Sequence, residues 1–222
     1  IILMINIHKN NLIFVGPSDT IDLINNSRIV YKNQLINDIN ILGYISHKRE
    51  KHLPYKSFKF LGNDFYLKKK SNLTKYIVNN IYSNQSRKKI FEISKKSNYL
   101  PASVIFKNAT LFSNIKIGDS NIIYPNVTIS TNSSINTGNV IGYDTLIGHN
   151  VKIGKFNFIG PGCKILGEAK IGNNCLIGSN VKIMPQVKIG NNVNINAGLT
   201  IHHNIESNNS LIITKNFRMI KN

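Results

Sequence analysis

Residues 141–166 read IGYDTLIGHNVKIGKFNFIGPGCKIL, with isoleucine at 141, 147, 153, 159 and 165. Extended both ways, the spacing of six holds from Ile105 to Ile201 without an insertion. It covers 17 consecutive positions, 16 of them isoleucine and one, Leu111, leucine. Glycine follows the aliphatic at 118, 142, 148, 154, 160, 172, 178 and 190. A second series, four residues after the aliphatic, is small or medium: Val127, Ser133, Thr145, Val151, Cys163, Ala169, Cys175, Val181, Val187 and Val193. A hexapeptide period of this length marks a parallel β-helix. One short strand per hexad makes one wall of a triangular prism, and three hexads make a coil. The aliphatic points inward and stacks on the aliphatic one coil later. Glycine and asparagine fill the corners, where positive φ is cheap for them. The run amounts to about five coils.

The chain has 222 residues, enough for one large domain or two modest ones. The prism takes residues 100–203. Residues 10–99 therefore need a core of their own, and residues 204–222 read as a C-terminal cap or tail. Within the tail, Leu211-Ile212-Ile213 is a candidate covering strand, and a short hairpin here would close the open end of the prism. Pro101-Ala102-Ser103 marks the boundary between the halves. No Gly/Ser-rich linker separates them, so rigid packing with a cleft between is expected.

In the first half, Leu12-Ile13-Phe14-Val15-Gly16 reads as a buried strand ending in a tight turn. Ser18 or Asp19 is placed to cap a helix from about Ile21. Ile41–Ile45, part of Lys56–Leu67, and Tyr76–Val78 read as further strands. Ser86 to Ile93 opens a helix with Ile90 and Ile93 on one face and lysines on the other. Strands alternating with helices imply a small parallel sheet of βαβ type, whose strand C-termini line a crevice.

No apolar run approaches the length of a transmembrane helix, so no membrane span is expected. Cys163 and Cys175 both fall on inward positions of different walls, as reduced core residues, and a cytoplasmic setting is expected. The net charge is +18, from 28 basic and 10 acidic residues. Compositional bias towards lysine, asparagine and isoleucine accounts for it, as does a site for a polyanionic small molecule such as a CoA thioester or nucleotide sugar. Nucleic acid is not an expected partner: the lysines are not interleaved with stacking aromatics, and no nucleic-acid-binding signature occurs.

The chemistry concentrates at Ile147 to Gly162. His149 follows a corner glycine, so its side chain points outward from a rigid bend, and imidazole is suited to proton transfer near neutrality. The repeat stacks Gly167 one coil above His149, about 4.8 Å away on strand spacing. Its backbone N–H is a candidate oxyanion donor.

The layout resembles the hexapeptide-repeat sugar acyltransferases, the family of the sialic acid O-acetyltransferases and of the nucleotide-aminosugar N-acetyltransferases of bacillosamine and perosamine synthesis. The matching residues are His149-Asn150, Ile153-Gly154-Lys155-Phe156 and Gly160-Pro161-Gly162, with counterparts at Ser86 to Ile90 and Pro101-Ala102. The similarity spans roughly residues 10–200. It implies a Rossmann-like α/β N-terminal domain followed by a left-handed β-helix. It implies acetyl-CoA as co-substrate and no metal. It implies a nucleotide sugar or free sugar as acceptor, and a homotrimer with sites between subunits. His149 is then the general base, oriented by Asn150. Gly167, Phe158 and Gly160 serve the acetyl-CoA and oxyanion side, and Gly16, Ser18, Ser46 and Asn84 the sugar substrate.

Several positions depart from the family pattern. Asn150 stands where an acid is usual, and an amide orients the imidazole without balancing its charge. Phe158 replaces a second histidine, and Gly142 an asparagine. Gly16-Pro17-Ser18-Asp19-Thr20 replaces a glycine-rich turn, and Ser46-His47 a pair of acids. An amine acceptor, a nucleotide-linked 4-amino-4,6-dideoxysugar, is the first expectation. O-acetylation of a sialic-acid type sugar and a catalytically weak binding scaffold are the alternatives. A carbonic-anhydrase-like zinc site is excluded, because His149, His202 and His203 form no metal triad within one chain.

Overall fold

The computed structural model describes residues 10–16, 26–46, 59–69 and 75–211. Each hexad from Ile117 to Ile201 forms a two-residue strand whose second residue, the isoleucine, is buried. The strands stack into three walls. The first wall runs from Ser103–Phe106 through Ile122–Ile123, Val140–Ile141, Phe158–Ile159, Leu176–Ile177 and Asn194–Ile195. The second includes Leu146–Ile147, Lys164–Ile165 and Lys182–Ile183, and the third Lys152–Ile153, Lys170–Ile171 and Lys188–Ile189. Isoleucine stands on isoleucine in parallel register, as in Ile141↔Ile159 and Ile147↔Ile165.

The corners use two devices. Asn114, Asn126, Asn132, Asn150, Asn174, Asn180 and Asn192 sit in the left-handed region, where a short polar side chain is tolerated. The glycines that follow the isoleucines do not share that role, contrary to the expectation that positive φ explains both. A Cβ on Gly148 would lie 2.8 Å from the Gly167 nitrogen, so these glycines are required by the close approach of the next coil.

Asparagine also enters the core. Asn121, Asn139 and Asn157 occupy the second inward series and are fully buried. The Asn121 Oδ1 accepts from the Asn139 N–H (2.8 Å), the Asn139 Oδ1 from the Asn157 N–H (2.9 Å), and the Asn157 Oδ1 from the Cys175 N–H (2.7 Å). Each amide is satisfied by the coil above or below, so burial is tolerated.

The N-terminal half builds a parallel sheet from β1 (Asn10–Val15), β4 (Ile39–Ile45), β5 (Phe60–Gly62), β6 (Lys75–Asn79) and β7 (Leu100–Pro101), in the order β5-β4-β1-β6-β7. Helix α1 (Asn84–Lys96) is capped by Ser83, whose side chain accepts from the Ser86 N–H. One sheet face carries Leu12, Phe14, Tyr44 and Val78 into the same core as the prism isoleucines. The other packs Ile13, Val15 and Ile77 with Ile90 of α1. The chain passes straight from sheet to prism: the Ala102 N–H donates to the Ile77 carbonyl, and β8 (Ser103–Phe106) opens the first wall.

Two features differ from expectation. A hairpin of β2 (Ser27–Tyr31) and β3 (Gln34–Ile36) turns through Lys32 and Asn33, both at positive φ, and pairs antiparallel with β8. It covers the N-terminal edge of the first wall, where an open edge would invite association. At the other end, no hairpin follows Ile201 among the described residues. The prism continues instead: Ile205 bridges to Ile189, and Ser210–Leu211 pairs in parallel with Asn194–Ile195. One corner is two residues shorter than the rest, and that shift hides the continuation from a fixed period of six. The remaining tail, and the helix expected from Ile21, lie outside the described residues. No described helix is long and apolar enough to cross a membrane.

Candidate active site

His149 and Asn150 form the corner between Leu146–Ile147 of the second wall and Lys152–Ile153 of the third, and both are exposed. Asn150 holds φ +56°, which turns its side chain back on its neighbour. The Asn150 Nδ2 lies 3.0 Å from the His149 Nδ1. The same separation suits the flipped amide, with Oδ1 accepting from Nδ1–H. Only that arrangement leaves Nε2 unprotonated and able to take a proton.

The imidazole lies directly against Gly167. A Cβ built on Gly167 would stand 2.5 Å from Nε2 and 2.7 Å from Cε1. Gly167 does not have a left-handed φ, so the glycine is needed for room and not for its backbone. The Glu168 N–H donates to the His149 carbonyl (2.8 Å), locking the two corners together. The Gly167 N–H donates to no group among the described residues. An imidazole, a free N–H and open space thus meet at one edge. The outward lysines nearest this edge stand in register, Lys164 on Lys182 along the second wall and Lys152, Lys170 and Lys188 along the third. None is ion-paired; among the described residues the one salt bridge joins Lys89 and Asp64, at 3.1 Å.

The other expected site residues are scattered. Phe158 is on the first wall, opposite the His149 corner, with its ring edge-on to Tyr82 (ring centroids 6.0 Å apart). Gly160 is buried at the first-to-second corner, where a Cβ would meet the Ser179 nitrogen at 2.6 Å. Neither reaches His149 within the chain. Gly16 and Ser46 do fall together, at the carboxyl ends of β1 and β4. The Gly16 N–H donates to the Ile45 carbonyl (3.1 Å) and the Ser46 N–H to the Gly62 carbonyl (3.1 Å). Ser18 lies outside the described residues.

Asn84, expected on the sugar side, ties the helix start to the prism. Its Nδ2 donates to the Cys175 carbonyl (3.0 Å), and its Oδ1 accepts from the Arg87 guanidinium (2.7 Å). Arg87, fully buried, was not singled out by sequence. It donates to the carbonyls of Ile81, Tyr82, Gly138 and Asn157 as well as to Asn84. Burial lowers its pKa to about 10, so it remains charged at neutral pH with only neutral acceptors around it. Phe156, at φ +56°, packs on Phe91 of α1 (5.5 Å) beside this joint. The isolation of Arg87 in an otherwise lysine-rich helix start, within the Ser86 to Ile90 segment that matches the family pattern, was the available signal.

Cys163 and Cys175 are free, buried and donate to the Gly178 and Gly190 carbonyls. Burial pushes the Cys163 thiol up to about 11, and Cys175 in the same direction, which disfavours thiolate chemistry. Among the described residues, no group of three or more His, Cys, Asp or Glu side chains is placed to hold a metal ion.

The class of protein is set by the prism and its corner histidine: a parallel β-helix of hexapeptide repeats carrying an α/β unit. The profile of the family "Bacterial transferase hexapeptide (six repeats)" matches residues 150–183 and 168–203. Solved structures share the whole architecture. The acetyltransferase domain of PglB from Neisseria gonorrhoeae FA1090, in complex with acetyl coenzyme A, has a TM-score of 0.78 at 17% identity, over 91% of this chain and 96% of that one. PerB from Caulobacter crescentus, with CoA and GDP-perosamine, has a TM-score of 0.76 at 14% identity, over 91% and 94%. WeeI from Acinetobacter baumannii AYE has a TM-score of 0.53 at 15% identity, over 90% and 94%. Among curated proteins, none matches the chain in sequence.

Proposed function

We propose that this protein is an acetyl-CoA-dependent N-acetyltransferase of a nucleotide-linked amino sugar, with a Rossmann-like domain on a left-handed β-helix. The observation that carries the reading is the packing of the His149 ring on Gly167, beside a backbone N–H without a partner. His149 Nε2 takes the proton as the sugar amine attacks the thioester carbonyl, forming the C–N bond. The Gly167 N–H receives the oxyanion of the tetrahedral intermediate. The C–S bond then breaks, and the thiolate of CoA leaves with the proton that His149 carried. The unpaired lysines either side of the corner suit a polyanionic thioester.

Architecture supports a shared site. The α/β unit packs on the first wall, whereas His149 stands on the corner opposite that wall. A sugar held by the α/β unit of one chain is therefore served by the base of a neighbouring chain, in a homotrimer. The test is thiol release from acetyl-CoA with a panel of UDP-, dTDP- and GDP-linked 4-amino-dideoxysugars and free sialic acids, with light scattering for mass. Release with an amino sugar, from a particle of three 25.0 kDa chains, is expected. Release only with sialic acid selects O-acetylation. No release, with no thermal stabilisation by any CoA ester, selects the scaffold reading.

A further inference from the structure

The carboxyl end of β6 runs into the first-to-second corner of the prism through a cluster of neutral polar rings. Tyr124 is buried between Phe106, stacked on it at 5.7 Å, and Tyr143, tilted on it at 4.6 Å. Its hydroxyl donates to the Asn80 Oδ1 (3.2 Å) and lies 3.3 Å from the Tyr82 hydroxyl. Tyr82 and Tyr143 are the outer members, 52% and 42% exposed. Behind them Asn80 is fully buried, and its Nδ2 has no hydrogen-bond partner. A buried amide donor left open is uncommon and calls for an explanation. Gly16 seals the other side, where a Cβ would lie 2.7 Å from the Asn80 carbonyl oxygen.

We infer that this cluster is the seat of the acceptor's sugar ring, an inference that rests on the acyl-transfer reading. A pyranose presents C–H faces that lie on aromatic rings, and hydroxyls that accept from an amide N–H. Tyr82 and Tyr143 supply the faces, and Asn80 the donor once the exposed Tyr82 ring turns to another rotamer. The described members of the cluster, Asn80, Tyr82, Phe106, Tyr124 and Tyr143, are all neutral, which suits the neutral ring better than the phosphates. Its position at the carboxyl ends of parallel strands is where a sheet of this kind takes ligands. Gly16 and Ser46 lie along the same edge, on the side left for the nucleotide.

Calorimetric titration of the full chain separates the parts. The ligands are acetyl-CoA, UDP, dTDP and GDP, and the corresponding 4-amino-dideoxysugar conjugates. Tyr82→Ala and Tyr143→Ala are each expected to weaken the conjugate by about tenfold. The free nucleotide and acetyl-CoA should stay within about twofold of wild type, which also certifies the fold. Equal losses for nucleotide and conjugate, or no loss for either, overturn the assignment. So does a wild-type chain that binds acetyl-CoA and none of the sugars. Sugar binding with the expected losses but no thiol release overturns acyl transfer and leaves the cluster standing.

Discussion

At Asn150 and at Phe156, in successive corners of one coil, the chain turns through the same left-handed conformation, φ +56° at each. The first corner is open. It carries an exposed histidine against a glycine with a free N–H. The second is closed. Phe156 packs on Phe91, Asn157 joins the buried amide ladder, and its carbonyl receives the Arg87 guanidinium. The backbone repeat is indifferent to this difference. What separates the corners is the α/β unit, which covers one and leaves the other to solvent. The first ought to carry chemistry without stability, and the second stability without chemistry.

The sharpest way to break that contrast is Arg87→Ala. It strands the carbonyls of Gly138 and Asn157 on the prism and those of Ile81 and Tyr82 before α1. Urea unfolding should show a loss of about 3 kcal/mol or more. A loss below about 1 kcal/mol would mean that the joint does not hold the two units together. His149→Ala should do the reverse. Thiol release should fall by about two orders of magnitude or more, with a change in stability within about 0.5 kcal/mol, as for any exposed side chain. Near-full activity in this variant removes His149 as the base.

The sequence made one corner far more legible than the other. An aliphatic every sixth residue converts numbering into space, so the spacing alone sets Gly167 above His149. The strands at Leu12–Val15, Ile41–Ile45 and Tyr76–Val78 were equally open to reading, because buried parallel strands are short apolar runs. The closed corner was opaque because its residues look like surface. Asn121, Asn139 and Asn157 are polar, and only pairing with their own kind one coil away makes them core. Asn84 and Arg87 pass for solvated helix residues until the prism arrives as their partner. The β2–β3 hairpin and the shortened corner before Ile205 are tertiary facts with no local period to announce them.

Gly167→Ala tests a smaller step at the open corner. The new methyl leaves the backbone N–H in place and meets the imidazole edge, so His149 must swing aside. Thiol release should fall by about tenfold, with kcat affected and the KM for acetyl-CoA little changed. An unaltered kcat would show that the ring position seen against Gly167 is not the one used in transfer.

The smallest effect, and the only expected gain, belongs to Asn150→Asp. The present amide contact of 3.0 Å can orient the imidazole, but it does nothing for the positive charge that forms when Nε2 takes a proton. A carboxylate in its place accepts from Nδ1–H in one orientation only, which fixes the productive tautomer and stabilises the imidazolium. Position 150 tolerates the change, since aspartate accepts the left-handed region and Asp144 already does so at φ +57°. The rate of thiol release at saturating acetyl-CoA should rise several-fold, with stability unchanged. A fall would mean that Asn150 serves through its N–H and not its oxygen. Nε2 would then carry the proton and donate, and His149 would act as a hydrogen-bond donor to the thioester in place of a base.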